Sequence, residues 1–247
     1  MTDAINISGL TFSYPGQDPV LEGINCAIGT GEKVGLIGPN GAGKTTLFHL
    51  VTGIVKPSAG KLTVLDQPVK PGRFNPAVGM VFQHTADQLI SPSVREDIAF
   101  GPQNMGLNRE DIEARIEEIA ELTGITFLLD RPPHQLSAGE QRLVALSGIL
   151  AMWPRLLIMD EPTSDLDIRY RRRLIKLLVS MTGKTLLIAS HDLEFVIETC
   201  SRVLLLEGGS IQADGEPAEV MGDEYLMERH GLEVPHSLSA TWHKHKK

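Results

Sequence analysis

Apolar positions along this chain of 247 residues change their period as the sequence proceeds, and each change marks a different kind of element. From Ile5 to Tyr14 they alternate as in a half-buried strand, with Ile5 and Ile7 on one parity and Leu10, Phe12 and Tyr14 on the other. The slip falls at Gly9, where a bulge would absorb the extra residue. Pro15 to Pro19 reads as a turn, and Val20 to Val34 as short strands punctuated by Gly23, Gly29 and Gly31. Lys61 to Leu65 and Val78 to Gln83 predict two more strands. Helical spacing then takes over: Asn108 to Asp111 open a helix carrying Ile112, Ile116, Ile119 and Ala120, and Ser137 and Glu140 form a Ser-x-x-Glu box ahead of Leu143, Val144, Leu146 and Leu150. Beyond Trp153, the wholly apolar runs Leu156 to Met159, Leu186 to Ala189 and Val203 to Leu206 have the form of strands buried on both faces. The last of them enters a hairpin at Glu207-Gly208-Gly209. The pattern predicts an α/β fold in a single domain over residues 1–230, β-rich at about 1–35 and 56–75, with a helical subdomain at about 85–153.

The strand Val34 to Ile37 runs into Gly38-Pro39-Asn40-Gly41-Ala42-Gly43-Lys44-Thr45, and Thr46 to Val51 continues as helix. This is the P-loop pattern G-x-x-x-x-G-K-[ST] in the strand-to-helix context it requires. Glycines let the backbone wrap a triphosphate with successive N–H groups pointing inward, and the helix dipole adds partial positive charge. Lys44 is expected to reach the β- and γ-phosphates and Thr45 to offer its hydroxyl to Mg²⁺. Leu136-Ser137-Ala138-Gly139-Glu140-Gln141 reads as a second helix start suited to a phosphate, although one nucleotide needs only the first.

Two acids close the run Leu156 to Met159. Carboxylates at the C-terminal end of a buried strand are costly unless they serve a site, so Asp160 is assigned to Mg²⁺ through its water shell and Glu161 to the attacking water as general base. His191 ends the next buried strand at the edge where a ligand should sit. A net charge of −8 argues against a broad nucleic-acid surface. The two cysteines, Cys26 and Cys200, lie outside any metal or disulfide spacing, which fits a reducing cytoplasm. The first residues lack signal-peptide character and no apolar run approaches bilayer length, so any membrane role is expected to be peripheral.

The string Leu136 to Arg142 resembles the signature motif of the ATP-binding cassette family, and the other motifs of that family follow in order from Tyr14 to His191. The resemblance implies a P-loop NTPase fold with a RecA-like mixed or parallel sheet core, an N-terminal antiparallel β subdomain and a helical subdomain bearing the signature. It implies binding of ATP by Tyr14, Gly38, Pro39, Asn40, Gly41, Ala42, Gly43, Lys44, Thr45 and Thr46, with Ser137, Gly139 and Glu140 supplied by a second copy. Tyr14 would stack on adenine, the other reading being a core aromatic beside Phe12. Gln83 would contact Mg²⁺ and the nucleophilic water, Ser164 to Asp167 would cross to the opposite subunit, and His191 would contact the γ-phosphate. Two copies packed head to tail, most simply a homodimer, would close on ATP and part after hydrolysis.

Two residues depart from the pattern. Ala138 stands where the family has Gly, and should be harmless if it opens the helix with negative φ. Asp165 stands where a small residue is usual, and is expected to turn toward Arg169 or Arg171. The segment Ala86 to Pro102 is similar to ATPases of energy-coupling factor importers, particularly those for cobalt and nickel, which pair with a transmembrane coupling protein and a substrate-binding membrane subunit. This implies a peripheral subunit on the cytoplasmic face of the membrane, with Asp87 and Gln88 at the docking region, the other reading of that pair being an ordinary acidic loop, while His84-Thr85 replaces the Asn-Pro common in relatives. The alternatives are a vitamin importer or a soluble cassette ATPase, though the latter usually carries a coiled-coil insertion or tandem cassettes. The basic, His-rich tail in 231–247 reads as solvated, as a weak metal tract or as an anionic-lipid contact.

Overall fold

The computed structural model describes residues 2–239; the Lys- and His-rich stretch of the tail lies outside the described residues. In chain order the elements are β1 (Asp3–Ser13), β2 (Pro19–Gly29), β3 (Lys33–Ile37), α1 (Lys44–Thr52), β4 (Ala59–Val64), β5 (Gln67–Pro68), β6 (Val78–Val81), α2 (Val94–Asn104), α3 (Arg109–Thr123) and α4 (Ala138–Leu150). There follow β7 (Leu156–Asp160), α5 (Ile168–Ser180), β8 (Thr185–Ala189), α6 (Leu193–Thr199), β9 (Arg202–Glu207), β10 (Ser210–Gly215), α7 (Pro217–Gly222) and α8 (Glu224–Arg229). They form two compact units, one from residues up to Arg73 together with those from Thr182 onward, the other from Phe74 to Met181.

In the first unit an antiparallel sheet runs in the order β2-β1-β4-β5. Its central strand carries the expected slip: Gly9 has φ 58°, the β1–β2 register shifts between Ile7 and Leu10, and Ile5, Ile7, Leu10 and Phe12 are all buried. A bulge turns one parity into the other without exposing either apolar set. In the same unit β3 lies parallel between β8 and β9, and β10 closes on β9 as an antiparallel hairpin. Helix α6 seats close on β3, where a side chain at Gly35 would stand 2.5 Å from Val196 Cγ1. The parallel arrangement brings the C-terminal ends of β3 and β8, and hence Gly38 and Ser190, to one sheet edge.

In the second unit β6 and β7 pair in parallel, Val78 opposite Leu156 through Val81 opposite Met159. Helices α2, α3 and α4 pack on one another, as the helical period of residues 85–153 requires. Their starts are capped by side chains: Ser93 accepts from the Glu96 N–H, Asn108 from Asp111 and Ser137 from Glu140, while Asp167 caps α5. Helix α1 of the first unit begins with no side-chain cap and no acid in its first turn. No described helix is long and apolar enough to cross a membrane.

Candidate functional site

In the first unit the loop between β3 and α1 takes a shape that only glycine permits at its critical points. Gly38, Gly41 and Gly43 have φ of 147°, 80° and 102°. Gly38 is also squeezed, since a Cβ there would fall 2.0 Å from the Leu206 carbonyl oxygen of β9. The buried Lys44 Nζ donates to the carbonyls of Gly38 at 2.7 Å and Pro39 at 3.0 Å, folding the loop over its own lysine. Thr45 is exposed at the uncapped start of α1, while Asn40 and Gly41 form the open rim of the loop. Glycine cradle, inward lysine and uncapped helix together fit a polyphosphate.

Tyr14 joins this group through its hydroxyl, 3.3 Å from Thr46 Oγ1, and its ring meets Phe12 edge to face at 4.9 Å. Phe12 is buried and Tyr14 half-buried, so Phe12 takes the core position and Tyr14 sits at the border of the loop. His191 is exposed beyond β8, and Asp192 caps α6 by accepting from the Phe195 N–H. Gly38, Ser190 and His191 line a cleft of about 430 Å³ whose other wall is the C-terminal segment Gly231 to His236. The Ser237 N–H donates to Glu194 Oε1 at 3.0 Å and tethers that segment to α6. The sequence gives no hint that residues so late in the chain border the His191 cleft.

In the second unit β7 delivers Asp160 and Glu161, 3% and 6% exposed. Acids so buried must be matched by favourable interactions, which sets them apart from a solvated turn. Glu161 has φ 46° and Asp165 φ 60°, left-handed values uncommon outside glycine and tolerated best by Asn and Asp. Asp165 thus sits in a backbone conformation that Asp tolerates better than most residues. Its carboxylate helps to hold the charge of Arg142. Asp167, in the same loop, caps α5 by accepting from the Arg169 and Tyr170 N–H groups.

Helix α4 starts with the full capping box: Ser137 Oγ accepts from the Glu140 N–H, and Glu140 Oε2 accepts from the Ser137 N–H at 2.9 Å. Ala138 opens the helix and is absent from the positive-φ residues, as the reading of this departure requires. Gly139 is tightly packed behind the helix, because a Cβ there would stand 2.6 Å from Tyr170 Cδ2 of α5. Gln83, exposed beyond β6, offers its carbonyl to Arg142. Gln88, expected at the docking region, uses its amide on the end of β6, accepting from the Phe82 N–H at 2.8 Å and donating to the Met80 carbonyl at 3.0 Å. The structure therefore gathers Tyr14, the glycine loop and His191 in one unit, and Gln83, Asp160, Glu161 and the signature helix in the other. Among the described residues no three His, Cys, Asp or Glu side chains form a metal cage.

These features coincide with known proteins. The family model described as ABC transporter matches residues 21–164. The chain is 53% identical over 235 residues to a putative ABC transporter ATP-binding protein of Synechocystis sp., covering 95% of this chain and 82% of the relative. It is 42% identical over 238 residues to the energy-coupling factor transporter ATP-binding protein EcfA of Methanothermobacter thermautotrophicus, covering 94% and 76%. Among solved structures, cbiO1 from Clostridium perfringens, described as part of the ABC transporter complex cbiONQ, superposes with a TM-score of 0.83 at 36% identity, covering 93% of this chain and 94% of that one. The loop around Lys44, the capped signature helix and these likenesses lead to one conclusion: the chain belongs to the ABC transporter family, as a transport ATPase of the energy-coupling factor and CbiO type.

Proposed function

We propose that this ATPase powers import of nickel or cobalt ions as a peripheral subunit on the cytoplasmic face of the membrane. Two copies bind two ATP molecules, each held by Tyr14 and Gly38 to Thr46 of one copy and by Ser137, Gly139 and Glu140 of the other. Mg²⁺, when bound, neutralises phosphate charge, and Thr45, Gln83 and Asp160 are the residues assigned to it. Glu161 accepts the proton of the attacking water, Lys44 and His191 steady the γ-phosphate, and Gln83 orients the water. Loss of the γ-phosphate removes the link between copies, and the dimer parts.

A groove of about 370 Å³ in the second unit is the observation that carries the membrane coupling. It is lined by Phe74, Phe82, Leu89, Ile90, Phe100 and Met152, with Phe74 62% and Ile90 68% exposed. An apolar groove with aromatic rims accepts the apolar face of a helix, and the transmembrane coupling protein is the partner assigned to it. The segment Ala86 to Pro102, on which the metal assignment rests, forms much of its wall. The test is uptake of radiolabelled nickel and cobalt in cells carrying the membrane subunits, with the wild-type chain or Glu161→Gln. Metal uptake lost in the variant supports the proposal; vitamin uptake without metal uptake would move the chain to the vitamin importers, and ATP turnover unaffected by the membrane subunits would point to a soluble cassette ATPase.

A further inference from the structure

Arg142 occupies a position on α4 where the helical pattern puts buried residues: Gly139 and Leu146 share its face, and Arg142 itself is only 5% exposed. Its guanidinium donates to three main-chain carbonyls, two in the loop between β7 and α5 and one far from them in the sequence, just beyond β6. Nη1 reaches Glu161 at 3.0 Å, and Nη2 reaches Gln83 at 3.0 Å and Ser164 at 3.3 Å. The Gln83 carbonyl stands just beyond β6, and those of Glu161 and Ser164 in the loop from β7 to α5, outside any strand ladder; the Glu161 carbonyl also accepts from the Ser164 N–H at 3.2 Å. Burial pulls the Arg142 pKa below its ordinary value, and the carboxylates of Asp165 and Glu161 oppose that pull. Its Nε is buried without a hydrogen-bond partner among the described residues, so the fork is committed to the carbonyls at some cost.

The same loops hold the left-handed residues Glu161 and Asp165. Such conformations are costly and persist only where the surroundings over-determine them. A planar fork with five donors in fixed directions can do this for three carbonyls at once; a glutamine amide or a lysine ammonium cannot match its span. We infer that Arg142 is a positioning residue for hydrolysis: it fixes the main chain at Glu161, Gln83 and Ser164 as one body. It also carries any movement of the signature helix into those two loops, since it rides α4 little more than one turn beyond the Ser137 cap. The carboxylate of Glu161 then points where its fixed backbone directs it. This inference rests on the reading of Glu161 as general base.

The test compares ATP turnover, KM for ATP and melting temperature of the purified chain for the wild type, Arg142→Lys, Arg142→Gln, Arg142→Met and Glu161→Gln. Arg142→Gln and Arg142→Met are expected to lose roughly 10- to 100-fold in kcat, the size of effect produced by a misplaced catalytic group, with KM within about twofold. Arg142→Lys, which keeps the cation, is expected to recover part of the loss. Wild-type kcat in the neutral variants overturns the inference, and so does a parallel change in kcat and KM with lysine no better than methionine, the pattern of a packing role alone. Should the neutral variants fail to fold, Arg142→Lys decides: a partial loss of kcat at constant KM supports the role, and unchanged turnover overturns it. Full turnover in Glu161→Gln would instead overturn the general-base reading, and with it the part of this inference that concerns Glu161.

Discussion

The packing of Gly139 against Tyr170 makes a prediction opposite to the one helix propensity makes. Replacing a helical glycine by alanine ordinarily stabilises by roughly 0.8–1 kcal/mol. Here the new Cβ would meet Tyr170 Cδ2 at 2.6 Å and Cγ at 2.7 Å, too close for carbon atoms, so the ring or the helix must move. Overpacking of this kind costs about 1–3 kcal/mol, which exceeds the propensity gain over most of that range. Gly139→Ala should therefore destabilise by about 1 kcal/mol, whereas in a Tyr170→Ala background, with the ring removed, it should stabilise. Urea unfolding of the four chains in the double-mutant cycle measures this, with a coupling of about 1–3 kcal/mol expected between positions 139 and 170. Additivity within about 0.5 kcal/mol, or stabilisation by Gly139→Ala in both backgrounds, would refute the packing argument.

Three further outcomes are expected. Lys44→Ala should weaken ATP binding roughly 10- to 100-fold, the value of a charge-assisted hydrogen bond to phosphate, and titration with a fluorescent nucleotide would expose unchanged affinity as a contradiction. Ser137→Ala removes the acceptor for the Glu140 N–H and should destabilise the chain by about 0.5–2 kcal/mol in thermal or urea unfolding; no change in stability would mean that the box contributes nothing. Burial pushes the Cys26 and Cys200 thiols up to about 11 from 9.0, so the folded chain binds their protons more tightly than the unfolded chain. That stabilisation is present below about pH 9 and is lost as pH rises through 11; Cys26→Ala with Cys200→Ala should flatten the alkaline fall in melting temperature, and an unaltered fall would contradict the assignment.

Local signals carried much of the architecture. The glycine loop, the apolar runs of β7, β8 and β9, the bulge at Gly9 and the capping box at Ser137 each rest on neighbouring residues, and each stands where periodicity or motif spacing puts it. Long-range contacts were less legible. Arg142 looks like one more solvated cation, because its three acceptors are main-chain groups that leave no side-chain pattern at positions 83, 161 and 164. The signal that was available is its place three residues after Gly139 and four before Leu146, on the apolar face of α4, where a charge needs a reason. Nothing comparable marks Tyr170 as the neighbour of Gly139, nor Gly231 to His236 as the wall beside His191, since both depend on how distant segments pack. The left-handed backbone at Glu161 was likewise hidden, for glutamate is not a residue from which positive φ is inferred.

The central claim is that Gly38 to Thr46 and Ser137 to Glu140 are two halves of one nucleotide site contributed by different copies of the chain. Cryo-electron microscopy of Glu161→Gln with ATP and Mg²⁺, which should bind but hydrolyse roughly 10²- to 10⁴-fold more slowly, tests it directly. The claim predicts a head-to-tail dimer with Ser137 Oγ of one copy within hydrogen-bond distance of the γ-phosphate held by Lys44 of the other. A γ-phosphate contacted by Lys44 and Ser137 of the same chain, or a nucleotide fully enclosed in a single copy, would contradict it.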